Sequence, residues 1–186
     1  MDKIRCFGSY PDKPELAHYH DTEWGVPVYD DNKLFELLIL EGAHAGLSWE
    51  TVLKKRQGYL DCFHQLIPEK VATMTEAELE AALQNPAIVR HRLKVYSTRK
   101  NAQVFLKMQT EFGSFSDYLW EHVNHTPIVN RYQKFEAMPA TSPISDKISK
   151  DLKKRGMSFV GSTIIYAYIQ GVGLVNDHLA DCWMAN

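Results

Sequence analysis

The sequence has 186 residues, of which 45% are apolar and 24% charged, and its formal net charge is −2. This length and apolar content exclude a fibrous or disordered chain and fit one domain or two small lobes. The near-neutral charge excludes a global field that attracts nucleic acid, so any nucleic-acid site must be a local patch.

The chain has no apolar run of about 18 residues, the length of a membrane span. Its first residues, MDKIRCFGSY, lack the apolar core of a signal peptide, and we therefore expect a cytoplasmic protein with no membrane segment. Its three cysteines cannot pair completely, which favours metal binding or burial over disulfides. Cys62 has apolar neighbours in YLDCFHQL and is interpreted as a small core residue.

Helical signals dominate the chain. The segment DDNKLFELLILEGAHAG has Asp and Asn caps before an apolar run, and TEAELEAAL contains a capping box of Thr75 and Glu78. One long helix is predicted over IVRHRLKVYSTRKNAQVFLKMQTEFG, ending near Gly113. Two further helices are predicted over SFSDYLWEHV and SDKISKDLKKRG.

Strand signals are weak, because the chain has no long alternating run, no hairpin dipeptide and no internal repeat. The segment STIIYAYIQGVG is apolar nearly all round and fits a buried helix or a strand; its length favours the helix. The long irregular connection HTPIVNRYQKFEAMPATSPIS marks either a boundary or a surface loop over a site. The sequence therefore predicts an all-α fold.

Near the C-terminus, NDHLADC separates His178 and Cys182 by four residues, a spacing that places both on one face of a helix. Cys6 and His20 would complete a Cys₂His₂ set, which suits tetrahedral zinc. Four protein ligands leave no open position, so the ion would be structural and would join the two chain ends. The alternative is two buried cysteines and two hydrogen-bonded histidines.

An acidic residue lies on an apolar helix face. Leu34, Leu37, Leu38 and Glu41 follow the i, i+3, i+4, i+7 pattern. A carboxylate in that position is costly unless it is paired, and such groups are enriched at functional sites. The alternative is that Glu41 accepts hydrogen bonds from backbone N–H groups at a neighbouring helix end.

Three aromatic residues supply large π faces for the same region: Tyr19, Trp24 and Trp49. For any one of them a core position is the more common role. A glutamate beside stacked rings is nonetheless a good receptor for a flat cation, because the rings stack on it and the carboxylate compensates its charge.

The segment SDKISKDLKKRGMSFVGSTIIYAYIQ predicts a helix, a tight turn and a second helix, with Gly156 and Gly161 flanking the turn. Ser162 or Thr163 would cap the second helix, whose first N–H groups form an anion site. The adjoining basic residues are Lys150, Lys153, Lys154 and Arg155. The alternative is an ordinary connection with a solvated basic face.

Several ordered motifs together resemble one family. They are YHDTEWGVP, LEGAHAGLSWETVLKKR, VRHR, KKRGMSFVGSTIIYAY and GLVNDH. The chain is similar, over nearly its whole length, to the 3-methyladenine DNA glycosylase I family of bacteria. The resemblance implies the helical fold of the helix-hairpin-helix glycosylase superfamily and one structural Zn²⁺ per chain.

The resemblance also implies roles for individual residues. The family's zinc ligands are matched by Cys6, His20, His178 and Cys182. Glu41 matches the carboxylate that contacts the methylated base, and Tyr19 and Trp49 match pocket aromatics. The segment that presses into the gap left by a displaced nucleotide is matched by Gly46 and Leu47. The hairpin that grips the DNA backbone is matched by the turn from Lys154 to Gly161, with Gly156 inside it and Ser162 after it.

Two positions depart from the family's pattern. Gly8 replaces a tryptophan two places after the first cysteine, and Leu16 replaces a pocket tyrosine four places before the ligand histidine. The gap between Cys6 and His20 is also one residue longer. Phe7 or Tyr10 could supply the missing ring.

The implied reaction is hydrolytic, monofunctional excision of 3-methyladenine from alkylated double-stranded DNA after base flipping, which leaves an abasic site. Glu41 is the expected catalytic and base-selecting residue. Asp177 is an alternative carboxylate, but its position beside His178 favours a role in orienting that ligand.

We expect one compact monomeric unit over residues 1–186. A zinc-binding lobe would comprise about 1–30 and 165–186, and a helical helix-hairpin-helix lobe about 31–164. The rival functions are a zinc-stabilised DNA-binding module without catalysis and a zinc hydrolase, although the latter needs an open coordination position.

Overall fold

The computed structural model describes residues 3–6, 10 and 12–185. Within these ranges the α-helices are α1 (Pro14–Thr22), α2 (Asp31–His44), α3 (Trp49–Cys62), α4 (Pro68–Ala72), α5 (Glu76–Gln84), α6 (Arg92–Phe112), α7 (Phe115–Glu121), α8 (Pro143–Arg155) and α9 (Ser162–Gly171). Two-residue strands β1 (Ile128–Val129) and β2 (Val175–Asn176) pair in parallel, and short 3₁₀ turns occupy His64–Leu66 and Phe135–Ala137. The predicted helical class is confirmed.

Side-chain caps set several helix starts where the sequence places them. The Asp30 side chain accepts a hydrogen bond from the Lys33 N–H at the start of α2. Thr75 and Glu78 form the predicted capping box at the start of α5. The ambiguous apolar segment is a helix, α9, as its length indicates.

Two helical predictions are wrong. The long helix α6 begins at Arg92 rather than Ile88, because the His91 ring caps it by accepting from the Lys94 N–H. The segment that carries His178 and Cys182 is a series of turns after β2, not a helix. Its N–H groups bond across the fold: Ala180 donates to the Tyr132 carbonyl and Trp183 to the Ile4 carbonyl.

Helix α2 is the centre of the molecule. It contacts α3, α6, α7 and α9, and the residues from Leu37 to Ala43 are all buried. Because a helix surrounded on all sides must be apolar all round, Glu41 is an exception that needs a chemical reason. Cys62 is half-buried and packs against this main core.

A second, smaller core lies where the two chain ends meet. Its buried members are Cys6, Tyr19, Trp24, Leu179, Cys182 and Ala185. The division into two lobes at residues 30 and 165 remains a prediction. None of the helices within the described ranges is long and apolar enough to cross a membrane.

Candidate active site and metal-ligand cluster

A cavity of about 220 Å³ lies between the central helix and the smaller core. Helices α1, α2 and α9 and the first residue of α3 supply most of its wall. Its lining residues are Tyr10, Leu16, Tyr19, His20, Trp24, Glu41, His44, Trp49, Phe135, Met138, Ala167 and Gln170. The three residues predicted to bind substrate, Glu41, Tyr19 and Trp49, therefore meet at one cavity.

Glu41 is 4% exposed, and its Oε2 lies 3.2 Å from Nδ1 of His44. Burial raises the pKa of Glu41, and the bond to His44 offsets this only in part. Among the described residues, no backbone N–H group donates to Glu41, so the alternative of helix-end capping does not apply. The group is an acid held in an apolar wall beside an empty volume.

Aromatic rings face one another across this wall. The Tyr19 and Trp49 ring centroids are 5.2 Å apart and tilted by 54°, and the Trp49 ring meets the His44 ring edge-on at 5.4 Å. The buried Nε1 of Trp49 has no hydrogen-bond partner among the described residues. At Gly171, a Cβ would come within 2.9 Å of the Tyr19 hydroxyl, so only glycine leaves this tyrosine its position.

Of the positions named for the departures from the family's pattern, two lie within the described residues and two lie outside them. Tyr10 and Leu16 line the cavity, so Tyr10 supplies a ring there. Phe7 and Gly8 lie outside the described residues. Trp24 lines the cavity and also packs on the metal-ligand cluster, with its ring centroid 4.6 Å from that of His178.

The four predicted metal ligands, Cys6, His20, His178 and Cys182, converge in the buried cluster between the chain ends, and one ligand atom from each lies within 4.8 Å of the others. The Cys182 Sγ and His20 Nε2 atoms are 3.4 Å apart. Ligand atoms around a tetrahedral zinc ion lie about 3.3–3.8 Å from one another, so the cluster fits with small adjustments. His178 Nε2 is buried and has no hydrogen-bond partner within the described ranges, as expected of a metal-binding nitrogen.

Hydrogen bonds orient both imidazole rings. Nδ1 of His20 lies 3.0 Å from Oδ1 of Asp21, and Nδ1 of His178 lies 3.0 Å from Oδ1 of Asn176. Each ring therefore turns Nε2 towards the cluster. The expectation that Asp177 orients His178 is wrong, because Asn176 has that role.

Burial sets the charge of the cluster. It lowers the pKa of His178 to about 4 and raises that of Cys6 to about 12. Burial also lowers the pKa of His20, so both imidazoles are neutral at physiological pH, as metal ligation requires, whereas the Cys6 thiol needs a nearby cation to lose its proton. The cluster has the donor set to hold a metal ion.

The predicted hairpin is the α8–α9 connection. Gly156 ends α8 in the left-handed region at φ 102°, and Asn101 bonds both the N–H and the carbonyl of Ser158. Gly161 rather than Ser162 is the N-cap of α9, and the Ser162 hydroxyl bonds Asp146 at 2.5 Å. The expected Ser or Thr cap is therefore absent here, and Lys154 is exposed beside the turn.

Gly46 and Leu47, the residues predicted to press into the gap left by a displaced nucleotide, lie in the chain between two cavity-lining residues, His44 and Trp49. Gly46 has φ 79°, and Leu47 is 40% exposed. The large apolar side chain of Leu47 is therefore exposed to solvent, and in the chain it lies between two residues of the cavity wall.

Sequence reasoning missed two polar residues of the cavity wall. His44 is three residues after Glu41 on the same helix, and that spacing alone signals a pair. Gln170 is the one amide in the apolar run STIIYAYIQ, which is an equally visible signal.

Comparison with known proteins places this architecture. A helical fold around an aromatic cavity with a buried acid suits a protein that binds a flat ring, and residues 9–185 match the family model described as methyladenine glycosylase. The chain therefore belongs to the methyladenine glycosylase family.

Its relatives agree with that placement. The chain is 49% identical to the DNA-3-methyladenine glycosylase of Haemophilus influenzae, covering 88% of this chain and 89% of that one. It is 48% identical to DNA-3-methyladenine glycosylase 1 of Escherichia coli, covering 96% and 95%. The structure of 3-methyladenine DNA glycosylase I from Staphylococcus aureus superposes with a TM-score of 0.94 at 38% identity, covering 100% of this chain and 98% of that one.

The raised pKa of Glu41 predicts a stability effect. An acid whose pKa is raised on folding destabilises the folded state at pH values above both pKa values. Glu41→Gln should therefore raise the free energy of unfolding at pH 7, and the gain should shrink as the pH falls towards 4.5. Urea unfolding at several pH values measures this. The exposed Glu69→Gln should give no comparable gain, and a pH-independent effect of Glu41→Gln would contradict the assignment.

Proposed function

We propose that this protein removes 3-methyladenine from alkylated double-stranded DNA by hydrolysing its N-glycosidic bond and leaving an abasic site. Its relatives carry the name DNA-3-methyladenine glycosylase. The observation that carries the proposal is the buried Glu41 carboxylate at the aromatic cavity. A module that only binds DNA gains little from an acid facing a polyanion.

The cavity is bounded by the protein interior, so the damaged base must leave the duplex to enter it. Extrusion of a nucleotide costs a few kcal/mol. The exposed Leu47 is suited to fill the gap in the base stack, and Gly46 gives its loop the left-handed turn that presents it.

The bound base would lie against the rings of Tyr19 and Trp49, and the Glu41 carboxylate would compensate its positive charge. 3-Methyladenine in DNA is cationic and a good leaving group, so the sugar–base bond needs less assistance than that of adenine. A water molecule would attack the sugar carbon as the base departs. No lysine is among the described residues that line the cavity, which supports a monofunctional reaction without a Schiff base.

The α8–α9 connection would grip the DNA backbone as a helix-hairpin-helix element. The first N–H groups of α9 have no side-chain cap, and a Cβ at Gly161 would meet nothing within 4 Å. Open space at a negative-φ glycine supports close approach by an outside group such as a phosphate. Lys154 adds a positive charge beside it.

We also propose one structural zinc ion held by Cys6, His20, His178 and Cys182. When bound, the ion would accept two thiolates and join the chain ends. Because all four positions are then protein ligands, this set argues against a zinc hydrolase.

The direct test of activity is release of free bases from methylated DNA. The wild type should release 3-methyladenine, and Glu41→Gln should reduce the rate by about 10–150-fold, the value of a hydrogen bond to a charged group. Chromatography of the released bases measures both, and zinc content should not change. If the wild type releases no base, the alternative function of a DNA-binding module without catalysis is favoured. Full activity of the variant would contradict the role of Glu41.

The zinc proposal predicts a loss that is specific to the cluster. Cys182→Ser should lose the metal and lower the melting temperature, because binding energy contributes to folding. The matched control is Cys62→Ser, since Cys62 lies outside the cluster and contacts Asn85. Metal content by mass spectrometry and thermal unfolding measure the difference. An unchanged zinc content in Cys182→Ser would contradict the ligand set.

The hairpin proposal predicts a salt effect. Log affinity falls as log salt concentration rises. Lys154→Ala should make this negative slope shallower by about 0.9, the contribution of one lost phosphate contact. Titration of undamaged duplex at several salt concentrations measures this. The exposed Lys70→Ala on α4 serves as the control and should keep the slope; equal slopes for all three proteins would place the DNA elsewhere.

A further inference from the structure

A second buried carboxylate, Asp177, has no role in the reaction as described. It is 1% exposed and accepts three hydrogen bonds. Its Oδ2 accepts from the Tyr166 hydroxyl at 2.6 Å and from Gln170 Nε2 at 2.7 Å, and its Oδ1 accepts from Asn130 Nδ2 at 2.7 Å. Burial and the hydrogen bond to Asp177 raise the pKa of Tyr166, so the phenol keeps its proton and remains a donor.

These bonds decide which way the Gln170 amide points. A carboxylate that receives three donors has acceptor atoms alone to offer, so Gln170 must turn its NH₂ group to it. Met138 Sδ lies 3.3 Å from the same Nε2 atom. The carbonyl Oε1 has no hydrogen bond within the described ranges, and Gln170 lines the same cavity as Glu41.

We propose that Asp177 is a positioning residue, which fixes Gln170 so that Oε1 accepts a hydrogen bond from the 6-amino group of the extruded purine. The inference rests on the proposed function and names its specificity. With Glu41 and Gln170, the cavity presents acceptors at two places. A purine with a 6-carbonyl, such as 3-methylguanine, sets an oxygen against an oxygen, and both stay unsatisfied.

The substitution Asp177→Asn tests the orientation. The new amide can donate to Oε1 of Gln170, so the glutamine can rotate and offer its NH₂ group to the cavity. Release of 3-methyladenine from methylated DNA should fall, and the ratio of 3-methyladenine to 3-methylguanine released should fall about 10-fold or more. A role in folding alone would lower both rates together and leave the ratio unchanged.

Because Asp177 adjoins the proposed metal ligand His178, a second variant at a different residue is needed. Gln170→Met has a similar shape but no acceptor, so it should lower the ratio in the same direction. Tyr166→Phe removes one donor to Asp177 and leaves the Gln170 bond, so it should keep the wild-type ratio. Zinc content and melting temperature should be measured for each protein.

The outcomes separate the two proposals. If the wild type releases neither base, the proposed function fails. If it releases 3-methyladenine but Asp177→Asn and Gln170→Met both keep the wild-type ratio, the inference about Asp177 and Gln170 is overturned and the proposed function stands.

Discussion

The buried Glu41 carboxylate is the constraint on which the site depends. It lies on the central helix, where every neighbouring residue from Leu37 to Ala43 is buried, and in the described ranges its hydrogen-bond partner is His44. Holding a charge there opposes folding. A cationic ring that enters the cavity removes that penalty, whereas a neutral ring of the same shape does so less. In the proposed function, selectivity for a charged base would follow from the desolvation penalty of the Glu41 carboxylate.

Helix α1 links this cavity to the chain ends. Tyr19 stands in the cavity wall and the adjacent His20 in the metal-ligand cluster, so whatever fixes one ring constrains the other. Trp24 packs on both histidines of the cluster and also lines the cavity. An ion held by the cluster, as proposed, would therefore help to fix Tyr19 and Trp24 in the cavity wall.

Local sequence patterns predicted several helices and the burial of Glu41. The i, i+3, i+4, i+7 spacing placed Glu41 on a buried face, and the capping box placed α5. The same logic failed where long-range bonds decide: His178 and Cys182 converge through turns whose N–H groups bond Tyr132 and Ile4. The orientation of the Gln170 amide also depends on a carboxylate brought to it by tertiary structure, which no local spacing reveals.

The most direct measurement is the titration of the Glu41 carboxyl by NMR of isotopically labelled protein, with and without 3-methyladenine. Glu41→Gln identifies the signal. We expect a pKa above the ordinary glutamate value in the free protein and a marked fall when the base binds, because the amino N–H donors of the base stabilise the carboxylate. A pKa that stays the same or rises on binding would contradict it.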